Sequence, residues 1–176
     1  MNTRVIEAKY GRFIIIEGDM VCSHLERTGE WADAEVQLCL SVLDRVPGDV
    51  IEAGAHIGTH TVPIAGKLAS MGRKMVAAEA QRAVAHVLCG NLALNGLTNV
   101  WAYPAPVSDQ AGYIPVKSCD YSTPWNYGAW HIERGFDLEA SFMQLQRTEW
   151  VETMTLGQLA ADIRPSLIKL DVNGWE

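Results

Sequence analysis

The runs 50–53, 75–78 and 99–103 are short, apolar and bounded by Gly, Asp or Asn, the pattern of strands buried on both faces. Between them lie stretches whose apolar positions recur at helical spacing. Ile64, Ala65, Leu68 and Ala69 share one side of 59–70, with Thr61 as the expected N-cap, Pro63 in the first turn and Gly72 past the end. Val84, Val87, Leu88 and Leu92 give 81–95 an inward face, and Gly96 closes that helix. Strand and helix alternating at this spacing predict an α/β fold with a parallel sheet and right-handed crossovers.

Ahead of this core, residues 1–28 read as a β-like prelude. The run 13–16 and the turn Glu17-Gly18-Asp19 predict a hairpin there. Residues 31–46 predict a covering helix with Trp31, Ala34, Leu38, Val42 and Val46 on one face and Cys39 and Leu43 alongside, and Pro47-Gly48-Asp49 stops it. The expected division is therefore a hairpin and covering helix over 1–46 and a core over 47–176, with a loop and strand insertion at 110–155. In that insertion 113–117 and 151–154 read as strands. Trp125, Tyr127, Trp130 and Phe136 crowd the loop between them, as a substrate wall or as anchors of the loop to the core. A helix over 156–163 and a strand over 167–170 complete the pattern, and the strand runs into Asp171-Val172-Asn173-Gly174.

Composition narrows the function classes. The 176 residues are 48% hydrophobic and 20% charged, which suits one globular domain. A net charge of −7 weighs against a nucleic-acid partner. Cys22, Cys39, Cys89 and Cys119 form no C-x-x-C pair; buried, reduced thiols at Cys39 and Cys89 and a cytoplasmic setting are expected. His56 and His60 stand four apart without a third ligand at a recognisable spacing, so no metal is expected. The run 13–16 is too short for a signal peptide, and no membrane partner is read.

The candidate chemistry gathers on 50–58, V-I-E-A-G-A-H-I-G. A strand, a glycine turn and a helix start form a pocket of backbone N–H groups suited to a nucleotide-like cofactor; a plain tight connection is the other reading. Glu79 ends the second parallel strand, where a carboxylate can accept both hydroxyls of a ribose. Asp109, past the third strand, is placed for an adenine amino group or is an ordinary turn residue. Glu52 either meets the cofactor's amino end or holds the loop. The glycines do not fit G-x-G-x-x-G; their acid-x-Gly-x-x-x-Gly form points to S-adenosylmethionine instead.

Taken together, G-E-W at 29–31, P-G-D-V-I-E-A-G-A-H-I-G-T-H-T-V-P-I-A at 47–65, A-A-E-A-Q at 77–81, N-L-A-L-N-G-L-T-N-V at 91–100 and L-I-K-L-D-V-N-G-W-E at 167–176 resemble the FkbM-type S-adenosylmethionine-dependent methyltransferases. Asn126-Tyr127-Gly128 is similar to that family's Asn-aromatic-Gly turn. The resemblance implies a Rossmann-like class I methyltransferase sheet, S-adenosylmethionine as cofactor, and methylation of a hydroxyl on a small molecule or sugar. It implies that Gly54, Ala55, His56 and Gly58 form the loop at the methionine part, that Glu79 meets the ribose, and that Ser108 and Asp109 meet the adenine. Asp171 becomes the candidate base or acceptor-orienting carboxylate, with Glu176 second. Departures are Glu52 for Asp, His56 for Asn, Ala80 for Pro, Asn173 for Glu and Gly157 for Asp. The family's core has seven strands and this sequence reaches the fourth, so an incomplete sheet is expected, either a truncated piece of such an enzyme or one completed by a partner chain or a second copy. A non-catalytic donor-binding fragment is the alternative. A nucleotide-dependent oxidoreductase would need a third glycine.

Overall fold

A computed structural model describes residues 1–117, 119–130 and 148–173. The chain opens with an antiparallel hairpin, β1 (Thr3–Ala8) and β2 (Gly11–Ile16), whose turn is Lys9-Tyr10. The expected turn at Glu17-Gly18-Asp19 instead launches a helix, α1 (Met20–Thr28), where a β-like stretch was read. Asp19 is the reason: its Oδ2 accepts the Cys22 N–H at 2.8 Å, an N-cap that starts the helix. In α2 (Asp33–Leu43) the buried stripe is Val36, Cys39 and Leu43, while Leu38 and Val46 are exposed. The expected face through Leu38 and Val46 is therefore turned outward. Both stripes have helical spacing, and packing against the sheet selects the one through Leu43.

The core follows as β3 (Asp49–Ala53), α3 (Thr61–Ser70), β4 (Met75–Ala78), α4 (Arg82–Leu94) and β5 (Val100–Tyr103). A separate antiparallel pair, β6 (Gly112–Lys117) and β7 (Thr148–Thr153), then precedes the single turn α5 (Leu156–Leu159) and β8 (Pro165–Leu170). Helix α5 is shorter than the expected 156–163, although Thr155 and Gln158 build a full capping box at its start. The four core strands are parallel in the order β5-β4-β3-β8. In core-strand numbering this is 3-2-1-4, the order of a Rossmann-like sheet up to its switch point. Among the described residues β8 pairs only with β3, so its outer edge carries no strand.

One face of the sheet packs on α2, α3 and α4 through Val50, Met75 and Ala77. The other face packs Ile51, Val76 and Ala78 on Leu159 of α5. The hairpin joins this body through α4. Asn91 accepts the Ile14 N–H at 2.5 Å and donates to the Ile14 carbonyl at 3.1 Å. Asn95 does the same for Arg12, at 3.0 and 2.7 Å. Two asparagine side chains thus stand where a neighbouring strand would.

Cys22, Cys39 and Cys119 are buried free thiols, but Cys89 is exposed on α4, against the expected burial. Among the described residues no helix is long and apolar enough to cross a membrane. Phe136 lies outside the described residues.

Candidate functional site

A cavity of about 240 Å³ lies at the carboxyl ends of all four parallel strands. After β3 its wall is Gly54 to His56, after β4 Glu79 to Gln81, after β5 Ala105 to Val107, and after β8 Asp171 to Asn173. Val21 and Trp31 from the N-terminal elements and the segment 126–130 close the remaining side. This is where open α/β sheets hold ligands.

The loop after β3 owes its shape to left-handed backbone. Gly54, His56 and Gly58 have φ of 81°, 50° and 92°. A Cβ on Gly54 would collide with the Asp171 carbonyl, so glycine lets the ends of β3 and β8 close on each other. A Cβ on Gly58 would stand 2.8 Å from Leu88 Cδ1 of α4. Gly58 therefore serves the packing of the loop on α4 and does not line the cavity. His56 tolerates its positive φ better than most side chains would.

Glu79 is the tie of the loop. Its Oε2 accepts the His56 N–H and its Oε1 the Gln81 N–H, each at 2.8 Å. Burial raises its pKa, against the pull of His56 and the two backbone donors. Each oxygen keeps a lone pair for a further donor. Gln81 in turn donates to the Tyr127 carbonyl at 2.8 Å, which fixes the 126–130 segment.

Glu52 lies behind the loop, fully buried, and does not line the cavity. Its Oε2 accepts the Thr61 hydroxyl at 2.6 Å and its Oε1 stands 3.3 Å from Lys169 Nζ. Thr61, the expected N-cap, uses its hydroxyl there; α3 instead starts from His60 without a side-chain cap. Lys169 also stands 3.6 Å from Asp171 Oδ2, so one ammonium joins the buried acid to the cavity carboxylate. Burial works against that ammonium, but Glu52 and Asp171 outweigh it and raise its pKa. Asp171 itself is largely exposed at the rim.

Ser108 and Asp109 bond each other at 3.2 Å and stand outside the cavity wall, which Pro106 and Val107 form in their place. Glu176 lies outside the described residues. Asn173, at φ 55°, donates to the Gly128 and Trp130 carbonyls at 2.8 and 2.9 Å. The structure therefore gathers Gly54, Ala55, His56, Glu79 and Asp171 and leaves Glu52, Gly58, Ser108 and Asp109 off the wall.

Three contributors escaped the sequence reading. Lys169 sits two positions after Leu167 on the inward face of β8, and a charge at such a position signals a buried partner. Asp19 ties α1 to the cavity, its Oδ1 accepting the Tyr127 N–H at 3.0 Å. His60 was weighed only as a metal ligand, yet it lines the cavity nearly fully buried, with its pKa pushed down to about 4 by burial and by Lys169. Its carbon-bound proton resonances are expected to stay constant from pH 8 to pH 5 in an NMR titration. The stabilisation from keeping it neutral is complete above its unfolded pKa near 6.5 and is lost as pH falls toward 4.

No family model and no curated protein matches the sequence. Among solved structures, the chain is similar to a SAM-dependent methyltransferase from Agrobacterium tumefaciens, at 12% identity and a TM-score of 0.44, over 60% of this chain and 33% of that one. It is similar to Trm5b from Pyrococcus abyssi at 14% identity and 0.44, over 61% and 31%. TYW2 from M. jannaschii, solved with AdoMet, gives 15% identity and 0.43, over 66% and 63%. The chain thus spans about a third of the first two.

Proposed function

We propose that this chain binds S-adenosylmethionine across the ends of its parallel strands and methylates a hydroxyl of a small molecule or sugar, as the FkbM-type motifs imply. The observation that carries the reading is the convergence of the glycine loop, Glu79 and Asp171 on one cavity at the switch point of the sheet. When bound, the cofactor supplies an electrophilic methyl group. Glu79 accepts the ribose hydroxyls on the lone pairs that its two backbone donors leave free. Residues 54–56 present backbone polar groups to the amino-acid end, and Ala105 to Val107 give the adenine a small apolar wall. Asp171 orients the acceptor hydroxyl and takes its proton, beside the Lys169 ammonium. A small acceptor is supported by the wall itself, in which no Lys or Arg stands among the described residues.

The test is calorimetric titration with S-adenosylhomocysteine. Saturable binding is expected, weakened by about 1–3 kcal/mol in Glu79→Ala, the scale for lost bonds to a charged group. A folded chain that binds no S-adenosylhomocysteine overturns the reading. Asn173 favours a second one, donor binding without turnover: its amide is committed to two carbonyls where the family carries a carboxylate. Binding of the donor with no product from any hydroxylated acceptor would mark it.

A further inference from the structure

The strand edges of this molecule are not equally guarded. On β2, Asn91 and Asn95 occupy the backbone groups that face away from β1. On β5, at one end of the core sheet, the Lys74 ammonium lies 5.3 Å over the Trp101 ring, a charge of the kind that discourages pairing. At the other end, β8 has neither device.

The hydrogen bonds of the sheet show which β8 groups are free. Val50 and Gly54 donate toward β4, to the Lys74 and Ala78 carbonyls, whereas the Ala53 carbonyl accepts the Asp171 N–H. Successive residues of a strand turn their N–H and C=O to opposite sides. Leu167 and Lys169 therefore turn theirs to β3, as Asp171 does, and Ile168 and Leu170 turn theirs outward, where no strand stands among the described residues. The side chains of the same two residues are 46% and 41% exposed. The charge within the strand, Lys169, is drawn inward to Glu52. The edge is thus bare, apolar and uncharged, the kind on which another strand pairs.

A second copy of β8 is complementary to it. Antiparallel pairing across a two-fold axis sets one residue against its own copy. Centred on Ile168, the axis makes Ile168 and its copy a hydrogen-bonded pair and gathers the four exposed side chains of Ile168 and Leu170 on one face. Centred on Lys169, it would set two lysines face to face. The Ile168 register is also complementary in charge at its ends. Arg164 is exposed, and its guanidinium has no hydrogen bond or ion pair among the described residues. It comes opposite Val172 of the second copy, next to the largely exposed Asp171 of that copy. We infer that β8 pairs antiparallel with β8 of a second copy of this chain about an axis at Ile168, so that each copy sets Arg164 at the cavity rim of the other. The pairing does not depend on what the cavity binds.

Sedimentation velocity on the full chain tests it. A contact of this size is a weak one, so monomer is expected at about 1 μM and dimer at about 100 μM. Ile168→Asp sets like charges together at the axis and is expected to raise the dissociation constant at least about tenfold. Leu38→Asp, on the outward face of α2, is expected to leave it unchanged. Arg164→Glu is expected to weaken the dimer about threefold, a contribution of the size of a surface ion pair. Oxidation reads the register, in a chain whose exposed Cys89 is replaced by serine. Opposed residues of a hydrogen-bonded pair have Cα atoms about 5.5 Å apart, within disulfide reach. Ile168→Cys is therefore expected to cross-link two copies. Leu170→Cys is not, because it lies about 13 Å from its own copy at about 3.3 Å per residue. The inference is overturned by a chain that stays monomeric at the higher concentration, or by association that runs on beyond a dimer. A dimer that Ile168→Asp leaves intact overturns it too, as does a cross-link through Leu170→Cys in place of Ile168→Cys. A dimer unmoved by Arg164→Glu overturns the placement of Arg164.

Discussion

Gly54→Ala is expected to lower the melting temperature by about 4–20 °C, at about 2–4 °C per kcal/mol for a chain of this size. Two costs add. An L-residue at φ 81° pays about 1–2 kcal/mol for the left-handed conformation. The new Cβ also meets the Asp171 carbonyl, a backbone atom with little room to retreat, because the Asp171 N–H is bonded to the Ala53 carbonyl at 3.0 Å. Relieving such an overlap costs about 1–3 kcal/mol. The movement would part the ends of β3 and β8 inside the cavity, so S-adenosylhomocysteine binding should be lost with the stability. Gly66→Ala is the control: it sits within α3 with no atom near its Cβ position, and it should be neutral or stabilising by about 0.5–1 kcal/mol. Circular-dichroism melts of both variants decide the matter. Equal melting temperatures would mean that the loop accommodates a methyl group.

Lys169→Met is expected to destabilise the fold by about 3–5 kcal/mol at pH 8, because it leaves Glu52 as an unpaired charge in the interior. The cost should shrink on acidification. Burial raises the Glu52 pKa above its ordinary value even with Lys169 beside it, and the cation is the larger of the influences that lower it. Without the cation, the folded chain keeps the Glu52 proton to higher pH than the unfolded chain does. The stability carried by the neutral carboxyl is then full below the unfolded pKa and is lost as pH rises through the folded one. Urea denaturation at pH 8 and pH 5 should show the variant closer to the wild type at the lower value. His60, Glu35 and Asp171 surround the pair and are common to both proteins, so the comparison with wild type removes their share. Glu52→Gln together with Lys169→Met should recover much of the loss at pH 8. An equal deficit at both pH values would mean that Lys169 acts through the packing of its stem.

The parallel core was legible because its strands are short apolar runs set by local pattern, and glycine at 54 and 58 marked the turn between β3 and α3. What the pattern could not hold was choice between equivalent local solutions. Leu38 and Leu43 both belong to plausible helical stripes, and only the sheet beneath α2 decides which goes inside. Gly18 marked a real turn, but not whether it joins two strands or caps a helix; the Asp19 carboxylate settles that. Thr61 has the chemistry of a cap and is drawn away by Glu52 on the adjacent strand. The candidate site was legible where backbone geometry makes it, at Gly54 and Glu79. It was not legible where the wall comes from distant segments, at Trp31 and Asn126, or where a charge on β8 pairs with one on β3, whereas Trp130 was offered as a wall residue or a loop anchor and lies on the wall. Ser108 and Asp109 were expected at the wall by analogy, and the chain brings Pro106 and Val107 there first.

The asparagines of α4 carry one consequence beyond positioning the hairpin. A strand edge with free N–H and C=O groups is a template on which another polypeptide can polymerise, the first step toward fibrillar aggregates. On β2 the groups of Arg12 and Ile14 that point away from β1 are already occupied by amides of Asn95 and Asn91. Side chains cannot pass a ladder onward as a strand does. Even in concentrated solution, β2 offers a second chain nothing to extend.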